Sequence, residues 1–132
     1  MDRRGVLVCT LAMMATFGTV VRAQTAYAPY VGKWMGSWKG GLSVTMDVQS
    51  IDPDGTMHGV SSWGDKPEWG VKAGSFTFNK TKMSADGKFS FADGSKPGAR
   101  MDWAFKNGKL EGLRIEAPDG KPTNTATLTK TN

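Results

Sequence analysis

Cysteine is almost missing: Cys9 is the one cysteine in 132 residues. The chain beyond it has no disulfide framework, no thiolate nucleophile and no cysteine-ligated zinc. Histidine is equally scarce. His58 stands alone, and a metal site would have to join it to carboxylates such as Asp65 or Glu68, whose spacing matches no recognised ligand pattern. A triad built on His58 would need a strained nucleophile and an orienting acid, while Ser61 and Ser62 read as ordinary strand serines. Carboxylate pairs such as Asp65 with Glu68 or Glu111 with Glu116 are of a common kind, and glycosidic chemistry depends on a separation and a raised pKa that no sequence displays. The turns DPDG (52–55) and SADG (84–87) lack the spaced ligands and terminal glutamate of a calcium loop. Phosphate-cradling and dinucleotide fingerprints are absent as well. No catalytic residue, metal or cofactor is expected.

Long apolar runs are confined to the start. Arg3 and Arg4 precede an uncharged run from Gly5 to Val21, and Val21-Arg22-Ala23 places small residues where an export peptidase reads. That is the anatomy of a signal peptide, with cleavage near Ala23-Gln24. The run falls short of the roughly 20 apolar residues of a spanning helix. Residues 1–23 are thus expected to be removed, leaving 24–132 as a single domain in the periplasm or secreted, with no integral membrane span. The stretch DRRGVL also resembles a twin-arginine export signal, although no Ser or Thr precedes the pair.

Strong charge is lacking too. The whole chain carries 17 basic and 12 acidic residues; without Arg3, Arg4, Arg22 and Asp2 these become 14 and 11, a net of +3. The lysines are scattered singly, with no basic tract interleaved with aromatics, so no nucleic-acid partner is expected.

What the chain does contain is short alternation punctuated by turns. In GKWMGSWKGG (32–41), Gly32, Trp34, Gly36 and Trp38 share one parity while Lys33, Met35, Ser37 and Lys39 share the other. Residues of one parity face the same way on a strand, so both indoles point inward and the lysines meet water. Leu42, Val44, Met46 and Val48 repeat the pattern before the DPDG turn. A third strand covers about 56–63, and GDKPEWG (64–70) forms a long loop. Phe76 and Phe78 open a fourth strand that is expected to continue to Met83. After SADG come Phe89 and Phe91, then the break DGSKPG (93–98), then Met101, Trp103 and Phe105. Asn107-Gly108 is the strongest hairpin signal in the chain. Beyond it Leu110 has one parity and Leu113 with Ile115 the other, which predicts a bulge near Gly112. A loop at 117–124 leads to the last strand, marked by Ala126 and Leu128.

The pattern predicts an all-β fold, a small antiparallel up-and-down β-barrel of about eight strands, because curling is the economical way to hide strand edges. A two-sheet sandwich is the alternative. Trp34, Trp38, Trp103 and Phe105 are the expected core aromatics.

Gly32-Lys33-Trp34 at the first strand, followed by this hairpin series, resembles the calycin group of lipocalins, fatty-acid-binding proteins and avidins, and more narrowly small exported lipocalin-like bacterial domains. The resemblance implies that Trp34 packs across one barrel end. A lipocalin's outer C-terminal helix and disulfide have no counterpart here.

Trp63 and Trp69 flank GDKPE and are the candidates to rim a barrel mouth, with Asp65, Glu68 and His58 as nearby polar candidates; the alternative is that Trp69 folds back to plug the end of a small core. An indole offers a broad apolar face and one N–H donor. The leading expectation is an exported, non-enzymatic barrel that binds a small apolar or carbohydrate-like ligand. The alternatives are an inhibitor-like module that contacts an envelope protein through its outer surface, and a hydrolase of unknown class.

Overall fold

The computed structural model describes residues 26–92, 97–116 and 120–131. The signal-peptide reading of residues 1–23, including Cys9, and parts of the 93–98 and 117–124 breaks lie outside the described residues. Eight strands are present: β1 (Gly32–Trp38), β2 (Ser43–Ile51), β3 (Met57–Trp63), β4 (Gly74–Phe78), β5 (Lys88–Ala92), β6 (Arg100–Lys106), β7 (Lys109–Ile115) and β8 (Pro122–Thr131). They form one antiparallel sheet in the order β4-β3-β2-β1-β8-β7-β6-β5. Every neighbour is a chain neighbour except at the centre, where the last strand closes on the first, Gly36 opposite Leu128. The sheet is curled into a half-barrel whose free edges are β4 and β5. No backbone ladder joins those edges. Aromatic side chains meet across the interior there, with Phe91 centroids 5.1 Å from Phe76 and 5.3 Å from Phe78. Among the described residues no helix is long and apolar enough to cross a membrane.

The alternation of β1 holds. Trp34 and Trp38 are buried, while Lys33, Met35 and Ser37 are exposed. The same inner face collects Val44, Met46 and Val48 of β2, Phe89 and Phe91 of β5, and Trp103, Leu110, Ala126 and Leu128. Phe105 is partly buried against this core. At the β6–β7 hairpin, Asn107 and Gly108 have φ of 55° and 74°. Both values lie in the left-handed region that a two-residue primed turn requires.

Three expectations need correction. The fourth strand stops at Phe78; Met83 is buried, but beside an isolated bridge between Thr56 and Lys82. The bulge near Gly112 does not form. Trp103 pairs with Gly112 and Asp102 with Leu113 in unbroken order, and the irregularity falls between Arg114 and Ile115. Leu113 consequently faces outward at 39% exposure. The final strand begins earlier than expected, at Pro122 within the anticipated loop. A further bulge between Val48 and Ser50 turns Ile51 inward. The extra residue is absorbed by the backbone, so side-chain parity alone does not reveal it.

One end of the barrel is filled. The 3-10 turn Ala28–Tyr30 lies there, and the Trp34 Nε1–H donates to the Tyr30 carbonyl at 3.0 Å. The Tyr30 ring stacks on Phe105 at 4.4 Å, and Phe105 in turn meets Trp34 at 5.1 Å. Lys130 reaches over the Trp34 ring and donates to the Pro29 carbonyl at 3.3 Å.

Candidate functional site

The opposite end, where β1 runs into β2 and β3 into β4, holds a cavity of about 660 Å³. That is within the range of small-molecule sites, roughly 300–1,000 Å³. Its aromatic walls come from Trp38, Trp63, Trp69, Phe76 and Trp103. Trp38 and Trp103 touch across the interior at 5.5 Å, and Trp63 meets Phe76 at 6.2 Å.

The loop after β3 is built to hold these rings. Asp65 accepts the Ala73 backbone N–H at 2.6 Å, and Lys66 and Val71 exchange backbone hydrogen bonds across its neck. The Trp63 Nε1–H donates to the Lys72 carbonyl at 2.9 Å. Inside this neck, the 3-10 turn Pro67–Trp69 ends on Gly70 in the left-handed conformation. Trp69 is thereby carried back over the β1–β2 turn, where its ring fills the space a Cβ on Gly40 would take. It remains 44% exposed. The Lys66 ammonium sits 5.4 Å from the ring centroid and 3.0 Å from Glu68.

Of the sequence candidates, Trp63 and Trp69 therefore line the cavity. Asp65 staples the loop, and Glu68 pairs with Lys66 on the surface. His58 lies on the outward parity of β3 near the filled end, 2.8 Å from Asp52, and is not part of the lining. Glu111 and Glu116 are not brought together: Glu111 is exposed on the outer face, whereas Glu116 lines the cavity. Among the described residues no group of three His, Cys, Asp or Glu side chains is placed to hold a metal ion.

The polar lining was not picked out by sequence patterning. Arg114 keeps the inward parity of Leu110 and Gly112 because the bulge comes after it, and its Nη2 lies 3.4 Å from Glu116. Asn124 donates to the Lys39 carbonyl at 3.0 Å, and Thr123 donates to the Arg114 carbonyl at 3.3 Å. Ser61 is the one buried polar side chain among the described residues, at 5% exposure, and it sits two positions below Trp63 on the inner face of β3. Shared parity with Trp63 is the sequence signal that could have found it.

Among the described residues two carboxyl groups are held below their ordinary value of 3.8, both in turns at the filled end. For Asp54 the chief cause is the Thr56 backbone N–H at 3.0 Å, with Lys82 helping. For Asp86 it is the Ser84 hydroxyl, with Lys88 adding to it. A lowered folded pKa means that these turn contacts support the fold above the ordinary carboxylate pKa and fade as pH falls through the lowered one. Ser84→Ala should raise the Asp86 midpoint toward its ordinary value in a carboxyl-carbon NMR titration. An unmoved midpoint would assign the effect to Lys88 and the backbone instead.

No protein-family model, curated protein or solved structure matches this chain.

Proposed function

We propose that this chain is an exported, non-enzymatic β-barrel, of lipocalin-like type, that binds a small apolar or carbohydrate-like ligand at its unfilled end. The observation that carries the reading is the asymmetry of the interior. One end is packed solid by Tyr30, Trp34 and Phe105, while the other keeps about 660 Å³ between four tryptophans. Indoles that open onto a cavity are the usual lining of a site for a small, largely apolar molecule. Export is supported by the Arg3-Arg4 start, the uncharged run and the small residues before Gln24.

An outer-surface docking role has less behind it. The exposed large apolar residues of the outer face, Met35 and Leu113, stand on β1 and β7 with β8 between them. Single exposed apolar side chains are normal on soluble proteins.

Native mass spectrometry of the protein purified from its own source tests the proposal. A retained small molecule is expected on the wild type and its loss on Trp69→Ala. Because Trp69 is nearly half exposed, that variant should cost under about 1 kcal/mol in denaturant unfolding. A co-purifying protein in place of a small molecule would favour the docking role. Severe unfolding of Trp69→Ala would make the ring a plug.

A further inference from the structure

The cavity's polar groups narrow the ligand further, on the premise that the proposed binding role is right. Nearly all of them are already committed to the protein. Trp63 donates to Lys72, Asn124 to Lys39, Thr123 to Arg114, and Arg114 pairs with Glu116. A sugar carries a hydroxyl on almost every carbon and would have to leave most of them unmatched against these walls. Each hydroxyl buried without a partner weakens binding, because its hydrogen bonds to water are lost and not replaced.

Two polar groups at depth are in the reverse position. Ser61 is inward-facing and 5% exposed, and its hydroxyl opens onto the cavity, held by no side-chain hydrogen bond within the described residues. The Trp103 indole N–H has no partner among the described residues, but it is closed off from solvent and so from an occupant of the open cavity. Both residues line the same cavity, and Ser61 lies below the rings of Trp63 and Phe76, directly opposite Phe76 in the β3–β4 pairing. An unmatched hydroxyl that opens onto the cavity calls for an occupant that supplies a partner there.

From this we infer that the site takes a planar aromatic molecule bearing one hydrogen-bonding substituent, ring between the tryptophans and substituent inward at Ser61. A flat ring gains stacking contact with Trp63 and Trp69. A single inward oxygen answers the Ser61 hydroxyl without demanding further partners. An unsubstituted aliphatic chain would fill the volume but leave the Ser61 hydroxyl unmatched.

Calorimetric titration of the full chain with 2-naphthol, naphthalene, laurate and cellobiose tests this. 2-Naphthol should bind one per chain and more tightly than the other three. Ser61→Ala should weaken 2-naphthol by about fivefold, the worth of one neutral hydrogen bond. The same variant should change naphthalene by less than twofold. It should fold normally, since it removes a hydroxyl that no protein group uses, and its unfolding midpoint is the control. Preferred binding of cellobiose or laurate would overturn the aromatic assignment while leaving a binding function in place. Equal losses for both naphthyl probes would overturn the role of Ser61. Absence of binding by all four, together with no retained molecule in native mass spectrometry, would overturn the binding function itself.

Discussion

Trp34→Ala is expected to lower the free energy of unfolding by roughly 3–5 kcal/mol, the range for truncating a fully packed large aromatic side chain. The ring is 3% exposed, and three separate contacts depend on it. Its N–H satisfies the Tyr30 carbonyl, its face meets Phe105, and the Lys130 stem crosses above it. Removing the ring therefore opens a void and also frees the N-terminal turn that fills this end of the barrel. Loss of that turn should release Tyr30 from Phe105, so the denaturant midpoint should fall and the near-ultraviolet aromatic signal should weaken in the folded baseline. A shift below about 1 kcal/mol would place the ring outside the core.

Gly36→Ala carries the second large effect, and for the opposite reason. A Cβ at this position would lie 2.1 Å from the Thr127 carbonyl oxygen and 3.0 Å from the Leu128 Cα. Both are backbone atoms of β8, so no side chain can swing aside to admit the methyl group. The strand must move, and with it the β1–β8 ladder that joins the two ends of the chain at the centre of the sheet. Overpacking of this kind costs roughly 1–3 kcal/mol, and a backbone obstacle points to the upper end. Thermal unfolding of Gly36→Ala beside wild type is the measurement. A midpoint unchanged within error would mean that β1 and β8 stand farther apart than described. Together the two variants explain why tryptophan and glycine alternate in 32–38: the rings fill the interior from either side of a point where the neighbouring backbone leaves no room.

The strand alternation was legible because one face of each strand is buried and the other wet, as at Trp34 and Trp38 against Lys33 and Ser37. Trp63 and Trp69 were legible as belonging to one barrel end because they flank a Gly- and Pro-broken loop, but whether Trp69 rims that end or plugs it was not, since that depends on where the loop folds back. Arg114 was hidden. Its direction depends on whether the bulge precedes or follows it, and apolar Leu113 and Ile115 suggested the earlier place, whereas pairing with β8 sets the later one. Met83 misled in a similar way. Its burial arises from a single bridge of the 79–87 connection to Thr56, a long-range contact that leaves no local period. The resemblance implied Trp34 across one barrel end, but its partners there were hidden, because the 3-10 turn, Phe105 and Lys130 that meet around it are separated by most of the chain.

In the outer hairpins the rings also lie on glycines across the ladder. Trp63 sits opposite Gly74, Phe78 opposite Gly59, and Trp103 opposite Gly112, each ring occupying the place of the missing Cβ. The β3–β4 connection spans residues 64–73, and its Lys66–Val71 bridge holds the same alignment that these ring–glycine contacts select. Slippage of β4 by two residues would drive the Trp63 ring into the Phe76 Cβ and leave Gly74 facing nothing. These bare positions therefore act as a key that only one alignment fits, guarding the edge of the sheet most at risk of mispairing during folding.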